Sequence, residues 1–341
     1  MGEINRVAID TSKSVFTLYA VDAAERPVLR KNLRRREVLP FFEKLPPLEV
    51  VLEACGGSHH WGRKLAALGH RVRLIPAQYV KPFVKRSKND RNDAEAISVA
   101  ASQPSIGSVP VKSVEQQAHA MLLSVRELLV RQRTQLVNAL RGHAGELGFV
   151  AQLGEKGLAE LRAELAAADE AAVPAAAKQA LTLLGREFDR IELQLAGVDA
   201  TLMQQHKASP LSRRLATIPG IGPISALSFA LRVDPTQFDS ARHFAAWLGL
   251  VPRENSTAGK QRLGALSRAG NERLRQLLVL GATAVIRHAK PGRPASSQWL
   301  LNLLSRKPRK LAAVALANKM ARVLWAMMTS GEAYRPRQAV A

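Results

Sequence analysis

The sequence holds one cysteine, Cys55. That excludes an internal disulfide and fits a reducing, cytoplasmic compartment. Aromatic residues are scarce, at 5%, too few for an extended platform on which unpaired bases would stack. Long apolar runs are missing as well. The best, Leu311 to Met328, is broken by Lys319 and Arg322, so no uncharged apolar segment of about 18 residues is available to span a bilayer. The first residues, Met-Gly-Glu-Ile-Asn, are too polar for a secretory signal. Negative charge is in the shortest supply. Against 50 Lys+Arg stand 28 Asp+Glu, a net charge of +22. Such a surplus calls for a polyanionic partner, and without a spanning segment nucleic acid is the expected one, not a membrane.

What is present is enough for real cores: 341 residues, 47% of them hydrophobic, which predicts two or three domains. Val7-Ala8-Ile9 is a short apolar run ending at Asp10. Val15, Thr17, Tyr19 and Val21 then share one face, Phe16, Leu18 and Ala20 the other, and a third strand covers Val28 to Leu33. Pro40 to Leu45 reads as helix and Glu49 to Leu52 as a buried strand ending at Glu53. Trp61 to Leu68 is a helix closed by Gly69, Val72 to Ile75 a strand stopped by Pro76, and Asp93 to Ser102 a helix capped by Asp90 or Asn92. Three strands followed by alternating helices and strands predict an α/β domain with a mixed sheet over residues 1–110.

Residues 111–207 contain nothing strand-like. Leu122, Leu123, Leu128, Leu129, Leu136 and Leu140 recur at helical spacing. A second long helix, Ala175 to Met203, carries Leu181, Leu184, Phe188, Ile191, Leu195 and Val198 on one stripe. With a turn within Gly142 to Gly157, they predict an antiparallel coiled-coil hairpin, a candidate dimer arm. Ala163 to Ala177 is either a third helix or a connector. Residues 208–341 read as short helices punctuated by Gly and Pro, a mostly α C-terminal domain.

Asp10 and Glu53 each end an apolar strand. In neighbouring strands they would emerge at one edge, and Asp90 and Asp93, three apart, would face the same way on a first helical turn. Four gathered carboxylates repel, and a divalent cation is the natural counterweight. Oxygen ligands completed by water suit Mg²⁺ or Mn²⁺, and two such ions about 4 Å apart serve phosphoryl transfer. Each acid also has a plainer reading: Asp10 as a turn residue, Glu53 paired with Lys or Arg, Asp90 and Asp93 as solvated caps. The basic surplus favours the metal, because a metal-dependent nuclease must hold a polyanion near its acids.

Three stretches carry these acids: Ala8-Ile9-Asp10-Thr11-Ser12-Lys13, Leu52-Glu53-Ala54-Cys55-Gly56-Gly57 and Lys88-Asn89-Asp90-Arg91-Asn92-Asp93-Ala94. Together they resemble the Asp-Glu-Asp-Asp motif of the insertion-sequence 110/1111 family transposases. Gly249-Leu250-Val251-Pro252-Arg253, Asn255-Ser256-Thr257-Ala258-Gly259-Lys260 and Arg262-Leu263-Gly264 resemble that family's C-terminal transposase domain, so the likeness spans nearly the whole chain in order. The resemblance implies a RuvC-like N-terminal domain with an RNase H-like fold. It implies DNA cutting and rejoining at the bacterial nucleoid, with Mg²⁺ or Mn²⁺ at Asp10, Glu53, Asp90 and Asp93. It also implies a structured guide RNA, a bridge RNA, pairing with donor and target duplexes.

The same resemblance implies that a serine of the later block is the nucleophile, giving a covalent phosphoserine link to DNA. Ser256 is the candidate, with Thr257 beside it as the rival and Ser267 a further one. A serine attacks poorly unless activated. It lies over 160 residues from Asp93, so the site is composite, formed in one chain or between the subunits of a dimer or tetramer. Two other readings stay open: a RuvC-like endonuclease using metal-activated water, and a non-catalytic nucleic-acid scaffold.

Ile218-Pro219-Gly220-Ile221-Gly222-Pro223 resembles the turn of helix-hairpin-helix modules, whose glycines let backbone N–H groups approach a phosphate; it reads equally well as a tight turn touching nothing. Lys13, Lys85, Arg86, Lys88, Arg91, Arg253, Lys260, Arg262 and Arg268 are the candidate nucleic-acid contacts, otherwise a solvated face. Arg126, Arg133 and Arg141 on the first long helix, and Arg273 and Arg275 later, share that double reading. His59 and His60, near Glu53, are candidates for proton transfer, or else a cap or surface pair.

Overall fold

Short runs of buried apolar residues organise the first part of the chain. β1 (Arg6–Asp10), β2 (Val15–Val21) and β3 (Pro27–Arg34) form an antiparallel meander. α1 (Val38–Phe42), β4 (Glu49–Glu53), α2 (Ser58–Ala67), β5 (Arg71–Ile75), α3 (Ala77–Val80) and α4 (Asp90–Ser102) follow. β4 pairs parallel with β1, and β5 with β4, so the sheet order is β3-β2-β1-β4-β5. The parallel step from β4 to β5 needs a crossover, and α2 supplies it. Val7, Ile9, Val50 and Leu52 pack on one face with Phe16, Phe42, Trp61 and Leu65. Ala8, Val51 and Ile75 pack on the other, against Ala96, Ile97, Ala100 and Ala101 of α4. The central strands are apolar on both faces because helices cover both.

The computed structural model describes residues 3–85, 90–257, 259–291 and 297–335. Arg86 and Lys88, and the side chains of Asp90 and Arg91, lie outside the described residues. The chain divides into two compact units, residues 1–117 and 118–341, so the helices expected as a separate middle domain group with the C-terminal region.

In the second unit, α5 (Val114–Glu146), α6 (Glu155–Ala167) and α7 (Ala175–Ala208) come first. Arg126 pairs with Asp199, Leu129 packs with Ile191 and Leu195, Arg133 pairs with Glu192, and Leu140 packs with Leu181. Partners descend along α7 as they ascend α5, so the two helices run antiparallel. The turn falls within the expected Gly142 to Gly157: α5 runs on through Gly142, and residues 147–154 connect to α6. The alanine-rich stretch is split, its first part ending α6 and residues 168–174 forming a connector.

α8 (Pro210–Leu215), α9 (Pro223–Arg232), α10 (Ala241–Trp247), β6 (Pro252–Glu254), β7 (Leu263–Leu266), α11 (Glu272–Arg287), α12 (Gln298–Leu304) and α13 (Arg309–Ser330) complete the unit. Not all its helices are short. α13 has 22 residues and is long and apolar enough to cross a membrane by length and composition alone. Its Ala312, Ala317, Ala321, Met320 and Leu324 instead form the core with Phe229, Phe244, Leu274 and Leu278.

Candidate active site

Pleat parity aims the first two acids. Asp10 shares a face with Ala8, and Glu53 with Val51, so both point to the face covered by α4. Ile9 lies opposite Leu52, which brings the two acids side by side at the strand ends. The loops beyond them touch: Thr11 Oγ1 lies 3.4 Å from Cys55 Sγ. On α4, Asp93 is one turn from Ile97, which packs on the sheet. Burial, and then the nearby charge of Asp93, push the Glu53 carboxyl above its ordinary range. Two like charges facing each other at half-buried positions are costly unless a proton or cation intervenes. Their donor chemistry, oxygen only, suits a hard divalent ion. Among the described residues, no three His, Cys, Asp or Glu side chains converge closely enough to hold an ion; the side chain of Asp90 is not among them. α4 begins at Asp90, so Asn92 lies inside the helix and does not cap it.

His59 proves to be a structural acceptor. Its Nδ1 accepts the backbone N–H of Lys112 at 3.2 Å, and burial, then Lys112 and Arg63, lower its pKa.

Ser256 lies in the polar loop that joins β6 to β7, an exposed two-stranded hairpin. Ser256 Oγ donates to Glu254 Oε1 at 2.9 Å and accepts from the Arg262 N–H at 3.1 Å. Thr257 contributes its backbone, its carbonyl accepting from the Lys260 N–H at 3.0 Å. The base of the hairpin is clasped tightly. A Cβ on Gly249 would stand 2.5 Å from Ala269 N, and one on Gly270 1.8 Å from the carbonyl oxygen of Trp247. Buried Arg275 donates to the carbonyls of Leu248 and Ala269 at 3.1 and 2.7 Å. Arg275 is thus a staple beneath the hairpin, not a phosphate contact. Sequence reasoning missed Glu254; its signal was the spacing of two from Ser256, which matters only once the segment is known to be extended.

Other arginines are also occupied. Arg126 binds Asp199, Arg133 binds Glu155 and Glu192, and Arg273 binds Glu127 at 3.1 Å. Arg141 donates to the carbonyls of Ala151, Gln152 and Gly154. Lys85 sits 2.8 Å from Glu95. Lys13, Arg253, Lys260, Arg262 and Arg268 are exposed, and four of these five lie on or beside the hairpin. Gly220 packs closely on α11, where a Cβ on Gly281 would stand 2.0 Å from its carbonyl oxygen. A Cβ on Gly222 would meet nothing within 4 Å.

Residues 7–147 match the IS110-type DEDD family model described as Transposase, and residues 212–297 match the one described as Transposase IS116/IS110/IS902 family. The y4pF/y4sB protein of Sinorhizobium fredii, assigned as a transposase, is 51% identical over 335 residues, 98% of this chain and 86% of its own. The transposase for insertion sequence element IS1111A of Coxiella burnetii is 38% identical over 336 residues, 98% of this chain and 92% of its own. That for element IS1328 of Yersinia enterocolitica is 34% identical over 335 residues, 98% and 99% of the two chains.

Proposed function

The chain belongs to the transposase family of the IS110, IS116 and IS902 insertion sequences, enzymes that cut and rejoin DNA, and from that premise we propose that it does so through a phosphoserine formed on Ser256. The observation that carries this reading is the hydroxyl itself: exposed on a clasped hairpin and oriented by two hydrogen bonds, with exposed Arg253, Lys260 and Arg262 on the same hairpin and Arg268 at its base. Cations in that density draw a phosphodiester to the hydroxyl. Ser256 Oγ attacks phosphorus, the Oγ–P bond forms and a strand P–O bond breaks. The hydroxyl of an incoming strand then attacks the phosphoserine and releases Ser256. The bond energy is kept in the enzyme–DNA link, so rejoining needs no nucleotide cofactor.

The DEDD transposase family is generally dependent on divalent metal. We assign the holding of Mg²⁺ or Mn²⁺ to Asp10, Glu53, Asp90 and Asp93; when bound, the ion supplies Lewis-acid stabilisation of charge at the scissile phosphate. The meander followed by two parallel strands, in the order β3-β2-β1-β4-β5, supports an RNase H-like reading of the first unit. Exposed cations in both units fit backbone recognition of duplexes, with a structured guide RNA reading the sequence. A dimer or tetramer is the assembly this reading takes, the antiparallel arm of α5 and α7 its candidate contact.

A denaturing gel tests the reading. The full chain is incubated with labelled duplex carrying its element's ends, RNA transcribed from the same element, and Mg²⁺. Wild type and Thr257→Ala form a protein–DNA adduct; Ser256→Ala and Asp10→Ala do not. Strand cleavage that persists in Ser256→Ala would instead mark a nuclease using water.

A further inference from the structure

Serine is a weak nucleophile until its proton has somewhere to go. A hydroxyl offers one donor and two lone pairs. In this hairpin the donor points at Glu254 Oε1, 2.9 Å away, and one lone pair accepts the Arg262 N–H at 3.1 Å. The second lone pair is left for attack, and it belongs to an exposed residue that a phosphodiester can reach.

Resting on the phosphoserine reading, we infer that Glu254 is the general base that takes the Ser256 proton and the general acid that returns it. As the Oγ–P bond forms, the Oγ proton passes to the Glu254 carboxylate, the strand P–O bond breaks, and its leaving oxygen takes a proton from water. In rejoining, the incoming strand hydroxyl attacks phosphorus and gives its proton to water. The Oγ–P bond breaks and Glu254 returns its proton to Oγ. Protons and electron pairs balance over the cycle, and no further reactant is needed.

Three features support the assignment. The distance is within direct proton-transfer reach. The Asn255 N–H donates to the Arg262 carbonyl at 2.9 Å, so the backbone between acid and serine is tied to the opposite strand. The flanking cations Arg253, Lys260 and Arg262 offset the repulsion between a carboxylate and an approaching phosphate.

The test measures the rate of adduct formation for full-length wild type, Glu254→Gln, Glu254→Asp and Ser256→Ala, with the same duplex, RNA and Mg²⁺, across about pH 6 to 9. Glu254→Gln keeps an oxygen that can accept the serine hydrogen bond but lacks basicity. We expect it to slow adduct formation by about 100-fold and to turn a flat pH profile into one that rises with hydroxide. Glu254→Asp recovers part of the rate and the flat profile. Equal rates and matching profiles for wild type and Glu254→Gln, with an adduct that still needs Ser256, overturn this inference alone. An adduct that survives Ser256→Ala, or no adduct from wild type, overturns the phosphoserine reading and this inference with it.

Discussion

β4 carries an acid at each end, and the two are treated in opposite ways. Glu49, at its start, is buried with Arg6, Arg71 and Arg73 at 3.6, 3.3 and 3.4 Å. Glu53, at its end, faces another carboxylate and is held above its ordinary pKa. Both side chains share a face of one strand, four residues apart, so local propensity cannot separate them. The fold surrounds one acid with cations and leaves the other beside an acid. A group whose environment resists its charged form, on the edge of a strongly basic protein, is the one to assign to chemistry.

Exchanging each acid for its amide should break the comparison apart. Glu53→Gln removes a metal-holding oxygen while changing shape little. Strand cleavage should fall by about a thousandfold, roughly 4 kcal/mol of transition-state stabilisation, with the melting temperature kept or raised. Cleavage at wild-type rate would remove Glu53 from the site. Glu49→Gln should do the reverse. Arg6 is 4% exposed and would lose part of its compensation, although Glu25 still binds it. The expected loss of stability is about 2–3 kcal/mol, tempered by the solvent around Arg71. A denaturant titration measures it, and the folded fraction should cleave at nearly the wild-type rate.

How far the sequence discloses these sites depends on what kind of force builds each one. Asp10 and Glu53 could be placed because each ends a short, continuously buried apolar run, in β1 and β4, and the pleat of a strand fixes which way its last residue points. The strand boundaries fall within about two residues of expectation for the same reason. The hairpin around Ser256 left no such trace. Its strands, Pro252–Glu254 and Leu263–Leu266, bury no residue, so their pattern is that of a loop. Their geometry comes from Gly249, Gly270 and Arg275 beneath, contacts made by tertiary packing. The arginines of α5 were illegible in the same sense: Arg126 finds Asp199 across 73 residues, which no local charge pattern announces.

A smaller effect tests the Glu53 end of the strand without any DNA. In the unfolded chain Glu53 titrates in the ordinary carboxylate range, about 4.3. In the fold its pKa is raised by burial and then by Asp93. The folded state therefore holds the proton more tightly. Its contribution to stability is fully present below the unfolded pKa and is lost as pH rises through the folded one. Measured in a metal chelator, wild type should lose stability over that window relative to Glu53→Gln, and the two should converge below it. The difference is under about 1 kcal/mol for a half-exposed carboxyl. Added Mg²⁺ favours the charged form and should stabilise wild type at neutral pH by linkage, with a weaker response in Glu53→Gln. If both proteins respond equally to Mg²⁺, Glu53 does not hold the ion. The two ends of β4 would then differ only in burial and charge.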